Sequence, residues 1–178
     1  MTDSALSAAR SIGRARKAIG LGTICFGIGC IFVLDQFDIV MNASRSMEEP
    51  AFIMFEHPVL LTRGAVVSAR MPPVLQSRFG DYRFVKRIGG IPGDQITVSD
   101  DGAPCINDIC YPTWSQNGVP VGSALAPGII PEDHYALFGT SEDSLDSRYA
   151  VIGLIPADDI LGRGWVMPFM ADFRGAAE

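Results

Sequence analysis

Residues 18 to 34, AIGLGTICFGIGCIFVL, carry no charged side chain. They are apolar all round rather than along one stripe, so a helix here has no face to offer to water. At 1.5 Å per residue it spans about 25 Å, just short of a hydrocarbon core of roughly 30 Å. Slight bilayer thinning, or burial of Phe37, Ile39 and Val40 at the interface, closes that gap. The flanks are unequal in charge. Residues 1 to 17 hold Arg10, Arg14, Arg16 and Lys17 against Asp3, a net of +3. From Asp35 onward there are 19 acidic and 10 basic residues, a net of −9. The positive-inside rule then predicts a cytoplasmic segment over 1–17, a transmembrane anchor over 18–40 and an exported domain over 41–178.

Two other readings compete for this stretch. A cleaved secretory signal has the same charge layout but a shorter apolar core, and Met41 with Ala43 makes a poor cleavage pair. A buried core helix is usually apolar along one stripe only. Glycines at 20, 22, 27 and 29 suit a membrane helix, where small residues are common.

The remaining composition excludes several classes. A chain that is 48% hydrophobic and 19% charged is not disordered. Its net charge of −6 opposes that of a nucleic-acid binder. Four cysteines are too few for a disulfide scaffold.

Beyond residue 42, helical periodicity is weak. Short apolar runs predict strands at Ala65–Ala69, Tyr82–Ile88, Gln95–Val98, Tyr135–Phe138, Val151–Ile155 and Ile160–Met167. The fold class expected is therefore mainly β, built of antiparallel hairpins. Pro92-Gly93-Asp94 reads as a turn between two strands, and Asn107-Asp108 as a hairpin tip. Met71 to Gly80, with two prolines and a glycine, reads as a loop. Ala171 to Glu178 reads as a loose tail. Cys105 and Cys110 can face each other across the hairpin tip and oxidise in an exported domain, if cross-strand geometry allows. Cys25 and Cys30 fall in the apolar helix and read as packing residues. No nucleotide or metal motif appears, so no cofactor and no metal are expected.

Lysine usage is the sharpest chemical clue. The chain has two lysines and twelve arginines. Lys17 belongs to the basic flank, which leaves Lys86 alone in the exported domain. Arginine cannot usefully lose its proton, whereas a buried lysine can. Strand alternation puts Tyr82, Phe84, Lys86 and Ile88 on one face and Arg83 and Arg87 on the other. An amine among apolar side chains has a lowered pKa and can act as a general base near neutral pH. The bland alternative is a snorkelling surface lysine. A Ser-His-Asp arrangement fits poorly. His57 precedes a proline, His134 sits in a turn-like run, and both read as surface or loop residues.

Three segments together resemble the serine-lysine signal peptidase family. Ser44-Arg45-Ser46-Met47, with Pro50 soon after, is similar to the Ser-x-Ser-Met-x-Pro box that follows the membrane anchor. Lys86-Arg87-Ile88-Gly89-Gly90-Ile91-Pro92-Gly93-Asp94 resembles the Lys-Arg-x-x-Gly-x-Pro-Gly-Asp box. Gly139 to Arg148 resembles Gly-Asp-Asn-x-x-x-Ser-x-Asp-Ser-Arg. The resemblance covers residues 18 to about 168. It implies that Ser46 is the nucleophile and Lys86 its general base. It implies that Ser144 helps orient the lysine amine. It implies that Ser44 and the backbone N–H of Ser46 form the oxyanion hole, and that Asp146 and Arg148 brace the site. Its substrates are membrane-inserted precursor proteins, bound extended beside a strand and cut just outside the bilayer.

The departures point to one branch of that family. Pro50 lies one residue further on than in the housekeeping pattern. Thr140-Ser141 replaces Asp-Asn, and the large inserted β-region of many housekeeping enzymes is missing. Residues Asn42 to Ser46, Arg63 to Val67 and Met71-Pro72-Pro73 look more like the conjugative-transfer, TraF-type peptidases, which mature pilin precursors for type IV secretion. The expected partners are thus a precursor protein, the lipid bilayer and type IV secretion components, with no nucleic acid. The expected location is the bacterial cytoplasmic membrane, single-pass, with the N-terminus inside. Alternatives are a general signal peptidase I, which shares every catalytic residue, and a non-catalytic assembly factor supported only by Thr140-Ser141. A self-cleaving repressor would need a DNA-binding module, and none is present.

Overall fold

The computed structural model describes residues 23–31, 33–42, 44, 46–56, 60–116, 119–120 and 122–167. The expected cytoplasmic segment 1–17, the first residues of the expected anchor, His57 and the expected tail 171–178 lie outside them. The chain forms two units, Met1–Phe37 and Asp38–Glu178.

In the first unit, residues 23–31 and 33–34 are helical. Their apolar side chains, such as Ile24, Phe26, Ile28 and Ile31, are exposed on all sides. Among the described residues no helix is long and apolar enough to cross a membrane. A turn at 35–36 ends the helix, and strand β1 (Phe37–Met41) begins. Asp38 pairs with the distant Arg83 at 3.1 Å, and the β-branched Ile39 and Val40 favour extended backbone.

The second unit is mainly β. Its further strands are β2 (Ala51–Glu56), β3 (Val66–Ala69), β4 (Phe84–Gly90), β5 (Gln95–Val98), β6 (Pro104–Ile106) and β7 (Ile109–Cys110). Then come β8 (Ser115–Gln116), β9 (Val119–Pro120), β10 (Gly128–Ile129), β11 (His134–Phe138), β12 (Ile155–Pro156) and β13 (Ile160–Val166). The large sheet has seven strands in the order β1-β2-β13-β3-β4-β11-β12. A four-stranded sheet runs β10-β5-β6-β7, and β8 pairs with β9. Every pair of recorded register is antiparallel.

Alternation along the central strands feeds two cores. Val67, Ala69, Phe84, Ile88 and Leu137 pack on one face of the large sheet. Val66 and Val85 join Met47, Phe52 and Met54 on the other. A third cluster, including Ile96, Ile106, Ile130 and Phe138, lies where β11 meets the smaller sheet.

Five of the six expected strands form, with shifted ends. The strand expected at Tyr82–Ile88 runs instead from Phe84 to Gly90, and Tyr82 is exposed. Val151–Ile155 is corrected to a turn with only Ile155–Pro156 paired, because Gly153 takes a positive φ of 69°. β2 was not foreseen. Its run Ala-Phe-Ile-Met-Phe-Glu does not alternate in polarity, since a strand flanked on both edges and covered on both faces has no need to. Met71–Gly80 was expected to be a loop, but Pro73–Phe79 is a short helix. Pro73 is compatible with it because the first helical N–H has no intrahelical partner, and Gly80 closes it at φ 63°. The Asn107-Asp108 tip joins β6 to β7. There Cys105 and Cys110 sit opposite one another and are joined by a disulfide.

Candidate active site

The loop from Asn42 to Pro50 joins β1 to β2, and Asn42 closes it. Its backbone N–H donates to Pro50 O at 2.8 Å. Its side-chain Nδ2 donates to Met47 O at 2.8 Å and Glu49 O at 3.1 Å. Met47 is 1% exposed and plugs the loop into the core beside Phe52 and Val85. With Met47 turned inward, its neighbour Ser46 is left half-buried. Asn42 Oδ1 accepts from Ser44 N at 3.2 Å and from Ser44 Oγ at 3.1 Å. Ser44 Oγ lies 2.9 Å from Ser46 Oγ and accepts the Ser46 N–H at 3.3 Å.

Lys86 enters from β4. The strand pairs with β3 on one side and β11 on the other, and Lys86 lies opposite Val67. The side chain is 4% exposed. Its Nζ lies 4.7 Å from the centre of the Phe84 ring and 2.7 Å from Ser46 Oγ. Burial lowers its pKa from 10.5 to about 8; the Asp146 carboxylate pulls it back up and the Arg148 guanidinium pushes it further down. A minor neutral fraction therefore exists at neutral pH, far larger than for an ordinary lysine. Arg83 and Arg87 belong to the opposite face, where they pair with Glu56 and Glu49.

The third part is the loop after β11, residues 139–149. Arg148 and Asp146 are 3% and 0% exposed and form a two-point ion pair, with nitrogen-oxygen distances of 2.8 and 3.1 Å. Arg148 also donates to the carbonyls of Pro112 and Glu142 at 2.9 Å and of Gly139 at 3.3 Å. Asp146 accepts the Gly139 N–H at 2.8 Å. Buried charges persist only when paired and fully hydrogen-bonded, and this pair uses its valences to shape the Gly139 turn. Ser147 adds a two-way bond to the backbone of Leu137.

Two contacts stitch this loop to the Ser46 loop. Ser141 N donates to Ser46 O at 3.3 Å, and Glu48 N donates to Thr140 Oγ1 at 2.7 Å. Gly139 sits at the crossing. A Cβ there would lie 2.2 Å from Ser144 Oγ and 2.3 Å from Ser46 O, so no larger residue fits. Ser144 is 2% exposed, and its Oγ has no hydrogen-bond partner. Lys86 Nζ is engaged with Ser46 Oγ and not with Ser144.

Ser44, Ser46, Lys86 and Ser144 line one groove of about 670 Å³. Its walls are largely apolar, with Met71, Leu75 and Phe79 from the short helix and Phe84 from β4. The structure thus brings six of the sequence-derived residues together: Ser44, Ser46, Lys86, Ser144, Asp146 and Arg148. Cys105 and Cys110 lie apart, on the second sheet. Sequence reasoning assigned no role to Asn42, Gly139 or Thr140. The signal for Asn42 was only an amide two residues before Ser44. Thr140 read as a departure from the family's Asp, and its bond from Glu48 N could not be foreseen across 92 positions. Among the described residues no group of three or more His, Cys, Asp or Glu stands close enough to hold a metal ion. A neutral amine beside a hydroxyl, with an N–H and a second hydroxyl adjacent, can activate an oxygen nucleophile and stabilise an oxyanion.

The chain is 29% identical over 105 residues to a probable signal peptidase I-2 of Synechocystis sp. (strain ATCC 27184 / PCC 6803 / Kazusa), covering 58% of this chain and 46% of that protein. It is 30% identical over 98 residues to signal peptidase I P of Bacillus subtilis subsp. natto, covering 50% and 52%. The chain thus spans about half the length of the curated relatives it matches. A crystal structure of a signal peptidase I from Enterococcus faecalis V583 is 20% identical, with a TM-score of 0.35, over 57% of this chain and 94% of that one. The family model for signal peptidase, peptidase S26, matches residues 12–169, which include the Ser46 loop, β4 and the 139–149 loop; the chain belongs to that family.

Proposed function

We propose that this protein is a membrane-anchored serine endopeptidase that cuts precursor proteins at the outer face of the cytoplasmic membrane. The observation that carries this is the 2.7 Å approach of a buried lysine amine to the Ser46 hydroxyl. In this mechanism the neutral amine of Lys86 accepts the Ser46 proton as Oγ attacks the scissile carbonyl. Ser46 N–H and Ser44 O–H turn to the developing oxyanion. The Lys86 ammonium then protonates the leaving amine, and water resolves the acyl-serine by the same base. Ser144 Oγ, now unpartnered, is an acceptor for that ammonium once Lys86 carries the proton.

Family membership and the apolar run 18–34 support the anchor. The substrate binds extended in the apolar groove. Asn42 to Ser46 and the Arg63 to Val67 region support a dedicated role in maturing a conjugative pilin or another type IV secretion precursor. The second reading is general removal of signal peptides, favoured by the signal peptidase I names of both curated relatives.

The test is precursor processing in membranes. The full chain is expressed with a candidate pilin precursor and, separately, with an ordinary secretory precursor, and product masses are read. Cleavage of the pilin alone, lost in Ser46→Ala and Lys86→Ala, supports the dedicated reading. Cleavage of both precursors supports the general one. Pilus assembly that needs the chain while neither precursor is cut would make it an assembly factor. Cleavage surviving Lys86→Ala would overturn the mechanism.

A further inference from the structure

The amide of Asn42 reaches the candidate catalytic groups by a route that the Ser46 and Lys86 chemistry does not use. Both carbonyls facing its Nδ2, those of Met47 and Glu49, are acceptors only. The amide therefore has one workable orientation, with Nδ2 on the loop backbone and Oδ1 toward Ser44. Oδ1 takes both Ser44 donors, the backbone N–H and the hydroxyl. A flipped amide would set its oxygen against two carbonyl oxygens and its NH₂ against the Ser44 N–H. The direction of the Ser44 side chain is thus tied to the Asn42 amide.

We propose that Asn42 is a positioning residue for the oxyanion hole: it holds Ser44 Oγ beside the Ser46 N–H and fixes the turn that carries both. This deepens the Ser46 and Lys86 reading and rests on it. At rest Ser44 Oγ is 2.9 Å from Ser46 Oγ and 3.3 Å from Ser46 N, so both oxyanion donors sit side by side before substrate arrives. Asn42 Oδ1 also offers the Ser44 proton somewhere to rest other than Ser46 Oγ, which leaves the nucleophile's lone pair free. When the oxyanion forms, the Ser44 hydroxyl turns from Oδ1 to it, while the Ser44 N–H keeps its bond to Asn42. Preorganisation of this kind acts on the transition state and not on substrate binding.

The experiment compares wild type with Asn42→Ala, Asn42→Gln, Ser44→Ala and the Asn42→Ala/Ser44→Ala pair in the full chain. Each is measured for kcat and KM on a cleavable precursor, for labelling of Ser46 by a small fluorophosphonate, and for thermal stability. Loss of one oxyanion donor costs about 10²–10³ in rate, which bounds the indirect effect of Asn42 from above. Asn42→Ala is expected to lower kcat by about 10–100-fold with KM changed less than about twofold. In the Ser44→Ala background the same substitution should cost less than about threefold, because both changes remove one interaction. Asn42→Gln keeps the amide but displaces it by a methylene, and should fall between. It also serves as the readout if Asn42→Ala does not fold. A folded Asn42 variant with wild-type kcat, or one whose loss multiplies with that of Ser44→Ala, overturns this inference while leaving the peptidase reading intact. A wild type that neither cleaves nor labels overturns the peptidase reading and this inference with it.

Discussion

Lys86 Nζ lies 2.7 Å from Ser46 Oγ, across a separation of 40 residues, with the lysine 4% exposed. The two side chains come from a β-strand and from a loop pinned by Met47. Burial takes the amine down to a pKa of about 8. The electrostatics and the geometry at this pair carry consequences that can be measured.

The first concerns pH. Lys86 acts as a base only when neutral, so kcat/KM should rise with pH and level off above a midpoint near 8. Below that midpoint the rate should fall about tenfold per pH unit. A pH profile with a soluble peptide or a detergent-solubilised precursor reads this directly. A rate independent of pH between 6 and 9 would contradict a lysine base in this setting.

Lys86 also shapes stability. In the unfolded chain the lysine keeps its proton up to its ordinary value of 10.5; in the folded protein it keeps it only up to about 8. Folding therefore releases a proton between those values. Stability is lost as pH falls from 10.5 towards 8 and changes no further below that. Lys86→Met should abolish cleavage and yet stabilise the fold by about 3 kcal/mol at pH 7, with the gain vanishing above pH 10.5. Denaturant melts of both proteins at pH 7 and pH 10.5 check the sign.

Gly139 tolerates no side chain. Gly139→Ala pushes its Cβ against Ser144 Oγ and the Ser46 carbonyl, and the two loops must separate. The expected loss of stability is about 1–3 kcal/mol, with activity falling by far more than the folded fraction does. Gly164→Ala is a useful comparison. Its Cβ meets the flexible Met54 thioether rather than the two catalytic loops directly, so it should cost less activity than Gly139→Ala.

The Asp146 and Arg148 pair makes a prediction of the opposite kind. Arg148→Ala leaves a carboxylate at 0% exposure unpaired and frees the carbonyls of Pro112, Glu142 and Gly139. The cost should be about 3–5 kcal/mol, measured as a lower denaturation midpoint. Because Arg148 lowers the Lys86 pKa and Asp146 raises it, a folded Arg148→Ala protein should show its rate midpoint moved to higher pH.

Much of this protein was legible in its residues. The uncharged run and the charge asymmetry are one-dimensional facts and need no folding to be read. Short apolar runs bounded by turn residues mark β3, β5, β11 and β13, and they located those strands to within a residue or so. The lone lysine on an apolar face already pointed to a depressed pKa, because desolvation depends on which side chains share that face. Other features were opaque for equally physical reasons. β2 is covered on both faces and lost its pattern. The helix Pro73–Phe79 is built from a segment whose prolines are compatible with its first turn. The start of β1 is held by Asp38 meeting Arg83, 45 positions along the chain.

The division at the groove is sharper still. Residue types and spacing along the chain determined which groups could do chemistry: a serine pair, one lysine and an Asp–Arg pair. Tertiary structure alone decided that Lys86 meets Ser46, that Ser144 Oγ is left without a partner, and that Asn42, Gly139 and Thr140 hold the loops in place. Their contacts run from an amide to carbonyls, from a missing Cβ to a hydroxyl, and from a hydroxyl to a distant N–H. Distances of that kind are set by how strands pair and how loops close, and no local pattern encodes them.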